Sequence, residues 1–274
     1  MSASPNDLEV IRPMFRKRDS AIEIKTSDQI AIMRQAGLVV ARTLQRVSGA
    51  VAPGVTTKQL DEIAHDCIRE NNALPSFLGY HGFPAVICTS VNDEVVHGIP
   101  GPRILHDGDL ISIDCGAIVD GWHGDAAISV LVGEVSPEVA ELSRVTEASM
   151  WAGLAMVRAG GRLSDIGNAV ESVIVQAGDY GIVEEYVGHG IGTSMHMHPP
   201  VPNYGTAGRG PVLKIGMALA IEPMACLGNA EVGVLSDGWT VVTSDHRYAA
   251  HWEHTVAVTE DGPWVLTALD EIHL

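Results

Sequence analysis

Two apolar runs joined by Asp120-Gly121 constrain the fold of this chain more than any other feature. The runs are LISIDCGAIV and WHGDAAISVL, and Asp-Gly between alternating apolar positions is a strong signal for a two-residue hairpin turn. With the turn at these two residues, position 114 lies opposite position 127. Asp125 then shares a face of the hairpin with Asp114, one cross-strand diagonal away. The sequence therefore predicts a long antiparallel hairpin that carries two carboxylates aimed at one point.

The two carboxylates need compensation, because apolar residues such as Ile111, Ile113 and Ile128 flank them along the strands. Two acids that share a point repel each other unless a cation lies between them. A solvated acidic edge is the alternative, since 34 Asp and Glu residues stand against 17 Lys and Arg residues and the net charge is −17. The same surplus argues against binding to DNA and against attraction to anionic membranes.

One histidine and two further acids occur in contexts that suggest a site. His189 lies between glycines in VGHGIGTSMHMHPP, where the backbone can approach a ligand closely. Glu222 ends the apolar run MALAI, and Glu253 opens the apolar strand HTVAV. Buried acids without basic neighbours are costly unless a metal or hydrogen bonds compensate them. Each residue alone has an ordinary structural interpretation, so the pattern is informative only as a set.

Capping residues predict four amphipathic helices. The helix starts are Thr26 with Gln29, Thr56 with Gln59, Ser136-Pro137, and Ser164, and the last helix ends at Gly178. Strand-like apolar runs follow each pair of helices, at residues 85–90, 109–121, 182–187, 217–223, 239–244 and 251–260.

The two helix pairs resemble each other at a constant offset of 106 residues. Gly54 corresponds to Gly160, and Leu60 corresponds to Ile166. The simplest architecture is an α+β fold of two pseudo-symmetric halves, with helices packed on one face of a largely antiparallel sheet. A chance similarity between amphipathic helices is the alternative. We expect residues 21–274 to form a single catalytic domain of two such halves.

The first residues and the cysteines bear on the cellular compartment. Residues 1–20 are polar, contain a basic cluster at residues 12–18 and lack an apolar leader, so we expect a flexible segment, with a contact to ribosomal RNA as the alternative. The four cysteines show no CxxC spacing, which favours a reduced, cytoplasmic protein. No run approaches the ~20 apolar residues that span a membrane.

Five segments resemble the type I methionine aminopeptidases in their minimal bacterial form. The similarity extends from about residue 22 to about residue 268, and every metal-ligand position of that family is filled. The segments are YHGFPAVICTSVNDEVVHGIP (80–100), ISIDCGAIVDGWHGDAAISV (111–130), GHGIGTSMHMHPP (188–200), AIEPM (220–224) and WEHTVAVTE (252–260).

The resemblance implies the pita-bread fold around two divalent cations. The family's metal ligands correspond here to Asp114, Asp125, His189, Glu222 and Glu253, with Asp125 and Glu253 bridging the two ions. Four carboxylates and one imidazole form an oxygen-rich site that suits Co(II), Mn(II) or Fe(II), with Zn(II) or Ni(II) as alternatives.

The resemblance also implies roles in catalysis and substrate binding. Glu222 would move a proton, His196 would donate to the scissile carbonyl oxygen, and His97 would contact the substrate amide or amine nitrogen. The substrate-binding positions correspond to Phe77, Tyr80, His81, Phe83, Cys88, His97, Met195, His196 and Trp239. Phe77 replaces a small residue and Met195 an aromatic residue of the commoner bacterial pattern, which leaves the shape of the pocket rim open. Cys115 is expected to pack on the opposite face of the sheet.

The implied function is removal of the initiator methionine from nascent proteins when the second residue is small. The resemblance implies a cytoplasmic monomer that acts near the ribosome, with at most a local and transient ribosome contact. An Xaa-Pro aminopeptidase or dipeptidase is one alternative, although such relatives usually carry a sizeable additional domain. A non-catalytic pita-bread binding module is another, although such members lose metal ligands and all five are present here.

Overall fold

The computed structural model describes residues 21–274. Within this range the helices are α1 Ser27–Ser48, α2 Thr57–Glu70, α3 Pro137–Ala155 and α4 Leu163–Ala177. The strands are β1 Leu74–Pro75, β2 Ile87–Val91, β3 Glu94–Val96, β4 Leu110–Val119, β5 Trp122–Leu131, β6 Gly181–Ile182, β7 Gly188–Gly190, β8 Met197–Val201, β9 Ala218–Ile221, β10 Met224–Cys226, β11 Val232–Val234, β12 Val241–Thr243, β13 Ala249–His251, β14 Glu253–Thr259, β15 Gly262–Val265 and β16 Ile272–His273. The predictions for residues 1–20 lie outside the described residues.

Capping hydrogen bonds confirm three of the four predicted helix starts. The Gln29 N–H donates to Thr26 Oγ1 over 3.3 Å, and the Thr26 N–H donates to Gln29 Oε1 over 2.8 Å. The same reciprocal pair caps α2. Ser136 caps α3 by accepting from the Val139 N–H, and Pro137 is the first helical residue. These starts were predictable because each cap is a contact between residues three positions apart.

The predicted cap of α4 is wrong. Ser164 lies inside the first turn, and the helix is preceded by Arg162, whose N–H donates to Asp165 Oδ2 over 2.8 Å. The Ser164 hydroxyl instead accepts a hydrogen bond of 2.8 Å from the Arg209 N–H. Gly178 follows the end of α4 as predicted.

The described strands pair antiparallel, and the largest sheet follows the order β1-β4-β5-β14-β9-β7-β8, with β2 beside β4 and β15 beside β14. The hairpin of β4 and β5 has the predicted register, with Asp114 opposite Ala127. Its turn residues Asp120 and Gly121 have φ values of 49° and 80°, as a two-residue turn with two left-handed positions requires. The predicted strand at 182–187 is wrong beyond Ile182, where β6 ends; after it, the Val183 N–H still donates to the Met224 carbonyl oxygen of β10 over 3.1 Å. The position of β14 between β5 and β9 decides the geometry of the site.

The helices cover one side of this curled, half-barrel sheet. α1 and α2 pack on β4 and β5 through a cluster that includes Val40, Leu60 and Ile113, together with Cys115 as predicted. α3 and α4 form a second cluster with residues of β9 and β14. Because side chains alternate along a strand, Asp114 projects from the opposite face of β4 to that of Cys115. The α+β class and the antiparallel sheet with packed helices are thus confirmed.

Local structure repeats at the offset noted in the sequence. Gly54 and Gly160 have φ values of 92° and 89°. Their N–H groups donate to the carbonyl oxygens of Leu105 and Leu213 over 2.8 and 2.9 Å. The residues that precede α2 and α4 are also 106 positions apart. These matches support the division into two pseudo-symmetric halves, which stays a prediction.

Two further features concern membranes and cysteines. Between residues 21 and 274, no helix has both the length and the apolar character that crossing a bilayer requires. All four cysteines are buried as free thiols.

Candidate metal centre and substrate pocket

Three neighbouring strands bring the predicted acids together. Asp114 on β4 and Glu253 at the start of β14 both lie opposite Ala127 of β5, one on each side. Asp125 lies two residues earlier on β5 and shares the face of Ala127. Glu222 follows the last residue of β9, which pairs with the other edge of β14. Four carboxylates that are distant in sequence therefore converge on one side of the sheet.

His189 completes this group from β7. It lies opposite Ala220 of β9, and its Nε2 is 3.4 Å from Glu222 Oε1. Its Nδ1 lies 3.0 Å from the Gly190 carbonyl oxygen, so Nδ1–H donates there and Nε2 is left with a lone pair that faces the acids. Ligand atoms of Asp125, His189 and Glu253 lie within 4.8 Å of one another.

Burial dominates the electrostatics of the group. Burial raises the pKa of Asp114 to about 7. It also raises the pKa values of Asp125, Glu222 and Glu253 well above their ordinary range. Repulsion from neighbouring carboxylates raises the pKa values of these three residues further. Burial also lowers the pKa of His189 to about 4. Without a compensating positive charge, these acids would therefore hold protons near neutral pH.

The unpartnered oxygens fit divalent cations. Asp114 Oδ1, Asp125 Oδ1 and Glu253 Oε1 are buried, and among residues 21–274 none has a hydrogen-bond partner. Within the same range no Lys or Arg forms an ion pair with any of the four acids. Buried carboxylate oxygens need either donors or a metal, and an oxygen-rich set with one imidazole suits first-row divalent ions. The donor set thus fits the cations that the sequence predicts.

An apolar pocket adjoins the acids. Its residues form a separate cluster in which Phe83 contacts Phe77 and Trp239 edge to face, with ring centroids 6.5 and 5.1 Å apart. Cys88 belongs to this cluster and lies directly opposite Asp114 on β2, so pocket and acids share a wall. Met195 is almost fully buried there. The cavity that joins both parts has a volume of about 230 Å³, below the roughly 300–1,000 Å³ of pockets for drug-sized ligands.

Two histidines stand between the apolar pocket and the acids. His196 Nδ1 lies 2.9 Å from the Tyr80 hydroxyl oxygen, and its ring centroid is 4.3 Å from that of His189. The ring of His97 meets the rings of Tyr186 and Trp239 edge to face. His97 also has a φ of 61°, a left-handed conformation that costs free energy for a residue with a side chain and is common at functional sites.

The structure brings every predicted site residue to this one cavity. Its walls contain the five predicted metal ligands and the predicted substrate-binding and catalytic residues: Phe77, Tyr80, His81, Phe83, Cys88, His97, Asp114, Asp125, His189, Met195, His196, Glu222, Trp239 and Glu253. Their individual roles stay predictions. Two residues escaped the sequence analysis, namely Val96 in the cavity wall and His251 beside the acids. His251 is two residues before Glu253 on the chain, and this spacing is the one sequence signal that could have indicated His251.

Known proteins share most of this chain. Residues 31–260 match the metallopeptidase family M24. A methionine aminopeptidase of Clostridium acetobutylicum is 52% identical over 247 residues, which cover 90% of this chain and 98% of that protein. A methionine aminopeptidase 1 of Mycobacterium tuberculosis is 51% identical over 264 residues, covering 94% and 99%. The crystal structure of methionine aminopeptidase from Thermotoga maritima superposes with a TM-score of 0.89 at 40% identity, covering 90% of this chain and 100% of that one.

Proposed function

The chain belongs to the type I methionine aminopeptidases of metallopeptidase family M24 and is a metal-dependent aminopeptidase, and we propose that it removes the initiator methionine from nascent proteins whose second residue is small. The observation that carries this proposal is the convergence of four buried carboxylates and His189 beside a small apolar pocket. Such a junction can bind a free amine, a scissile bond and an apolar side chain together. We therefore take the N-terminal residue of a peptide as the substrate.

The five convergent side chains would hold two divalent cations. Asp125 and Glu253 would be shared between the ions, Asp114 would bind one ion, and His189 with Glu222 would complete the other. Co(II), Mn(II) or Fe(II) are the favoured ions, with Zn(II) or Ni(II) as alternatives. Bound cations of this kind lower the pKa of water and polarise a carbonyl group.

Glu222 would move the proton that hydrolysis requires. Its carboxylate accepts the proton of the attacking water and returns it to the departing amine. Its position supports this role, because the carboxylate lines the cavity and its Oε1 lies 3.4 Å from His189 Nε2, another of the proposed ligand atoms. An internal residue of a peptide has no free amine to offer at this end of the cavity, which accounts for exopeptidase action.

His196 would stabilise the negative charge that develops on the carbonyl oxygen. The Tyr80 hydroxyl, 2.9 Å away, would donate to Nδ1 and so leave the single ring proton on Nε2. An Nε2–H group can then donate to the oxygen in the transition state. His97, fixed between Tyr186 and Trp239, would contact the substrate amide nitrogen or its neighbouring amine.

The apolar pocket would select methionine by size and flexibility. An unbranched thioether can follow a narrow slot between Phe77, Phe83 and Trp239, and sulfur makes favourable contacts with ring edges. Tyr80, His81, Cys88 and Met195 would complete this slot. Met195 offers a flexible wall at a position where an aromatic residue would be rigid.

The cellular context is part of the same proposal. Free, buried cysteines support a reducing compartment, and we propose a cytoplasmic monomer that acts on emerging N-termini. The net charge of −17 favours at most a local and transient contact with the ribosome.

Peptide hydrolysis separates this proposal from the Xaa-Pro alternative. Met-Ala-Ser and Ala-Pro-Ser are offered to the full chain, and bound metal is measured on the same sample. We expect cleavage of Met-Ala-Ser with release of free methionine. Preferential cleavage of Ala-Pro-Ser would contradict the methionine assignment, and cleavage of neither by metal-loaded protein would favour a binding module.

A further inference from the structure

His251 lies against the acids but has no place in the ligand set described above. It ends β13, is 1% exposed, and its Nε2 is 3.9 Å from Oε2 of Glu222 and 3.9 Å from Oε2 of Glu253. Among the described residues this nitrogen has no hydrogen-bond partner. Buried polar atoms are normally hydrogen-bonded, so an unpartnered imidazole nitrogen equidistant from two carboxylates needs an explanation.

Two serines fix the backbone of His251 to the strands that carry the aspartates. The His251 N–H donates to Ser129 Oγ and Ser112 Oγ over 3.0 and 3.2 Å, and the Ser129 hydroxyl donates to the His251 carbonyl oxygen over 2.9 Å. The two hydroxyl oxygens are themselves 2.9 Å apart. Ser112 is two residues before Asp114 on the same face of β4. The imidazole is therefore held in register with the hairpin that carries Asp114 and Asp125.

The oxygens of the two glutamates divide between different neighbours. Glu222 directs Oε1 to within 3.4 Å of His189 and Oε2 towards His251. Glu253 also directs Oε2 towards His251, while its Oε1 is buried without a hydrogen-bond partner. His251 does not line the cavity, although both glutamates do. The imidazole thus lies behind the carboxylates, and one oxygen of each is left for the cavity side.

We propose that His251 is a positioning residue, whose single Nε2–H is shared between Oε2 of Glu222 and Oε2 of Glu253 and thereby holds Oε1 of each towards the cations. A movement of about 1 Å brings Nε2 from 3.9 Å to the ~2.9 Å of a normal hydrogen bond with either oxygen. Donors behind metal-binding side chains orient them and contribute to metal affinity. The inference rests on the proposed metal centre and assigns it a supporting residue.

A direct metal bond from His251 is the competing interpretation, because ligand atoms of Glu222, His251 and Glu253 also lie within 4.8 Å of one another. The position of the imidazole outside the cavity wall favours the hydrogen-bonding role. The two interpretations differ in the number of imidazole nitrogens bound to the metal.

The test compares two variants. His251→Gln keeps an N–H donor, whereas His251→Met has a similar volume and no donor. His251→Leu replaces the Met variant if that variant does not fold. Mn²⁺ affinity is measured by calorimetry on the full chain. We expect the donor-free variant to bind Mn²⁺ about 10- to 100-fold more weakly, and His251→Gln to retain most of the affinity. His254→Gln is the matched control, because it removes a half-buried imidazole of the same region, which contacts Thr267 rather than the acids.

Pulsed electron paramagnetic resonance of bound Mn²⁺ then counts the coupled imidazole nitrogens. We expect the same count in the wild type and in the donor-free variant. Unchanged Mn²⁺ affinity in that variant would overturn the inference, as would the loss of one coupled nitrogen. A wild-type chain that binds no divalent cation would instead contradict the proposed function itself, which the variants do not address.

Discussion

Among single residues, Asp125 is under strong electrostatic constraint. It is 3% exposed, its Oδ1 lacks a hydrogen-bond partner in the described range, and Glu253 and Asp114 both raise its pKa in addition to burial. In the apoprotein this carboxylate is a source of instability, and only a bound cation turns it into a favourable group. The same side chain is thus unfavourable for the apoprotein and, in the proposed function, needed to bind the cations.

We predict that Asp125→Asn abolishes turnover and leaves the fold intact. Asparagine keeps the volume and does not ionise, so folding of the metal-free protein no longer requires Asp125 to take up a proton, and this protein should melt at the same temperature as the wild type or higher. The measurements are hydrolysis of Met-Ala-Ser with saturating Mn²⁺ and thermal melts with and without the metal. Asp120→Asn, in the exposed hairpin turn, is the matched control. Activity above a few per cent of wild type would contradict the shared-ligand role.

Tyr80→Phe tests how His196 is oriented. The change removes the hydroxyl that lies 2.9 Å from Nδ1 and keeps the ring. A lost hydrogen bond of about 1 kcal/mol should lower kcat roughly five- to tenfold, with a smaller effect on KM. Steady-state kinetics on Met-Ala-Ser measure the effect, and Tyr180→Phe is the control, because Tyr180 packs on another cluster and does not line the cavity. A kcat equal to that of the wild type would show that Tyr80 serves only to shape the pocket.

Among the elements, α1 approaches the sheet most closely, and a glycine makes that approach feasible. A Cβ added at Gly37 would lie 2.0 Å from the backbone oxygen of Leu266. A Cβ added at Gly124 on β5 would lie 2.8 Å from the backbone nitrogen of Gly37. The backbone of α1 therefore packs closely on β5, the strand that bears Asp125. This close packing sets the distance between the helix and the β4–β5 hairpin.

Gly37→Ala should destabilise the protein by about 3 kcal/mol, the upper end of overpacking costs. Gly49→Ala at the end of the same helix is the control, because Gly49 has a φ of −65° and its nearest non-adjacent atom is 3.4 Å from an added Cβ. That control should be neutral or stabilising by less than about 1 kcal/mol. Urea unfolding measures both. Equal stability of the two variants would contradict the close contact.

The elements that could be predicted from sequence are those with local causes. The Asp120-Gly121 turn sets the register of β4 and β5, and the caps of α1 to α3 lie within three residues of the helices that they begin. Ser164 was misassigned because its hydroxyl partner, Arg209, is 45 residues away. His251 was missed for a similar reason, since the serine hydroxyls that hold it are 122 and 139 residues away. Contacts of this kind depend on the assembled sheet.

For the whole molecule, the proposed metal centre is assembled from distant parts of the chain. The hairpin supplies Asp114 and Asp125, and the later strands supply His189, Glu222 and Glu253. The resemblance to a known family identified all five from sequence, while residue patterns alone left each of them ambiguous. Their convergence follows from the insertion of β14 between β5 and β9, a pairing that no local pattern predicts.

Metal removal should therefore affect both activity and global stability. We predict that exhaustive chelation abolishes peptide hydrolysis and that added Mn²⁺ or Co²⁺ restores it. Ligand binding to the folded state also raises stability, by about 2.7 kcal/mol at a free metal concentration 100 times Kd. Elemental analysis, activity and thermal denaturation on one sample test this. Full activity in metal-free protein would contradict the metal requirement.

The strand order has a consequence for the timing of synthesis. β5 and β9 leave the ribosome before β14, and Glu253 reaches the acids only when β14 has inserted between them. Until then the proposed cation site lacks one of its two shared ligands. The enzyme is proposed to act on polypeptides that are still being synthesised. During its own synthesis it would therefore stay inactive until β14 has joined the sheet.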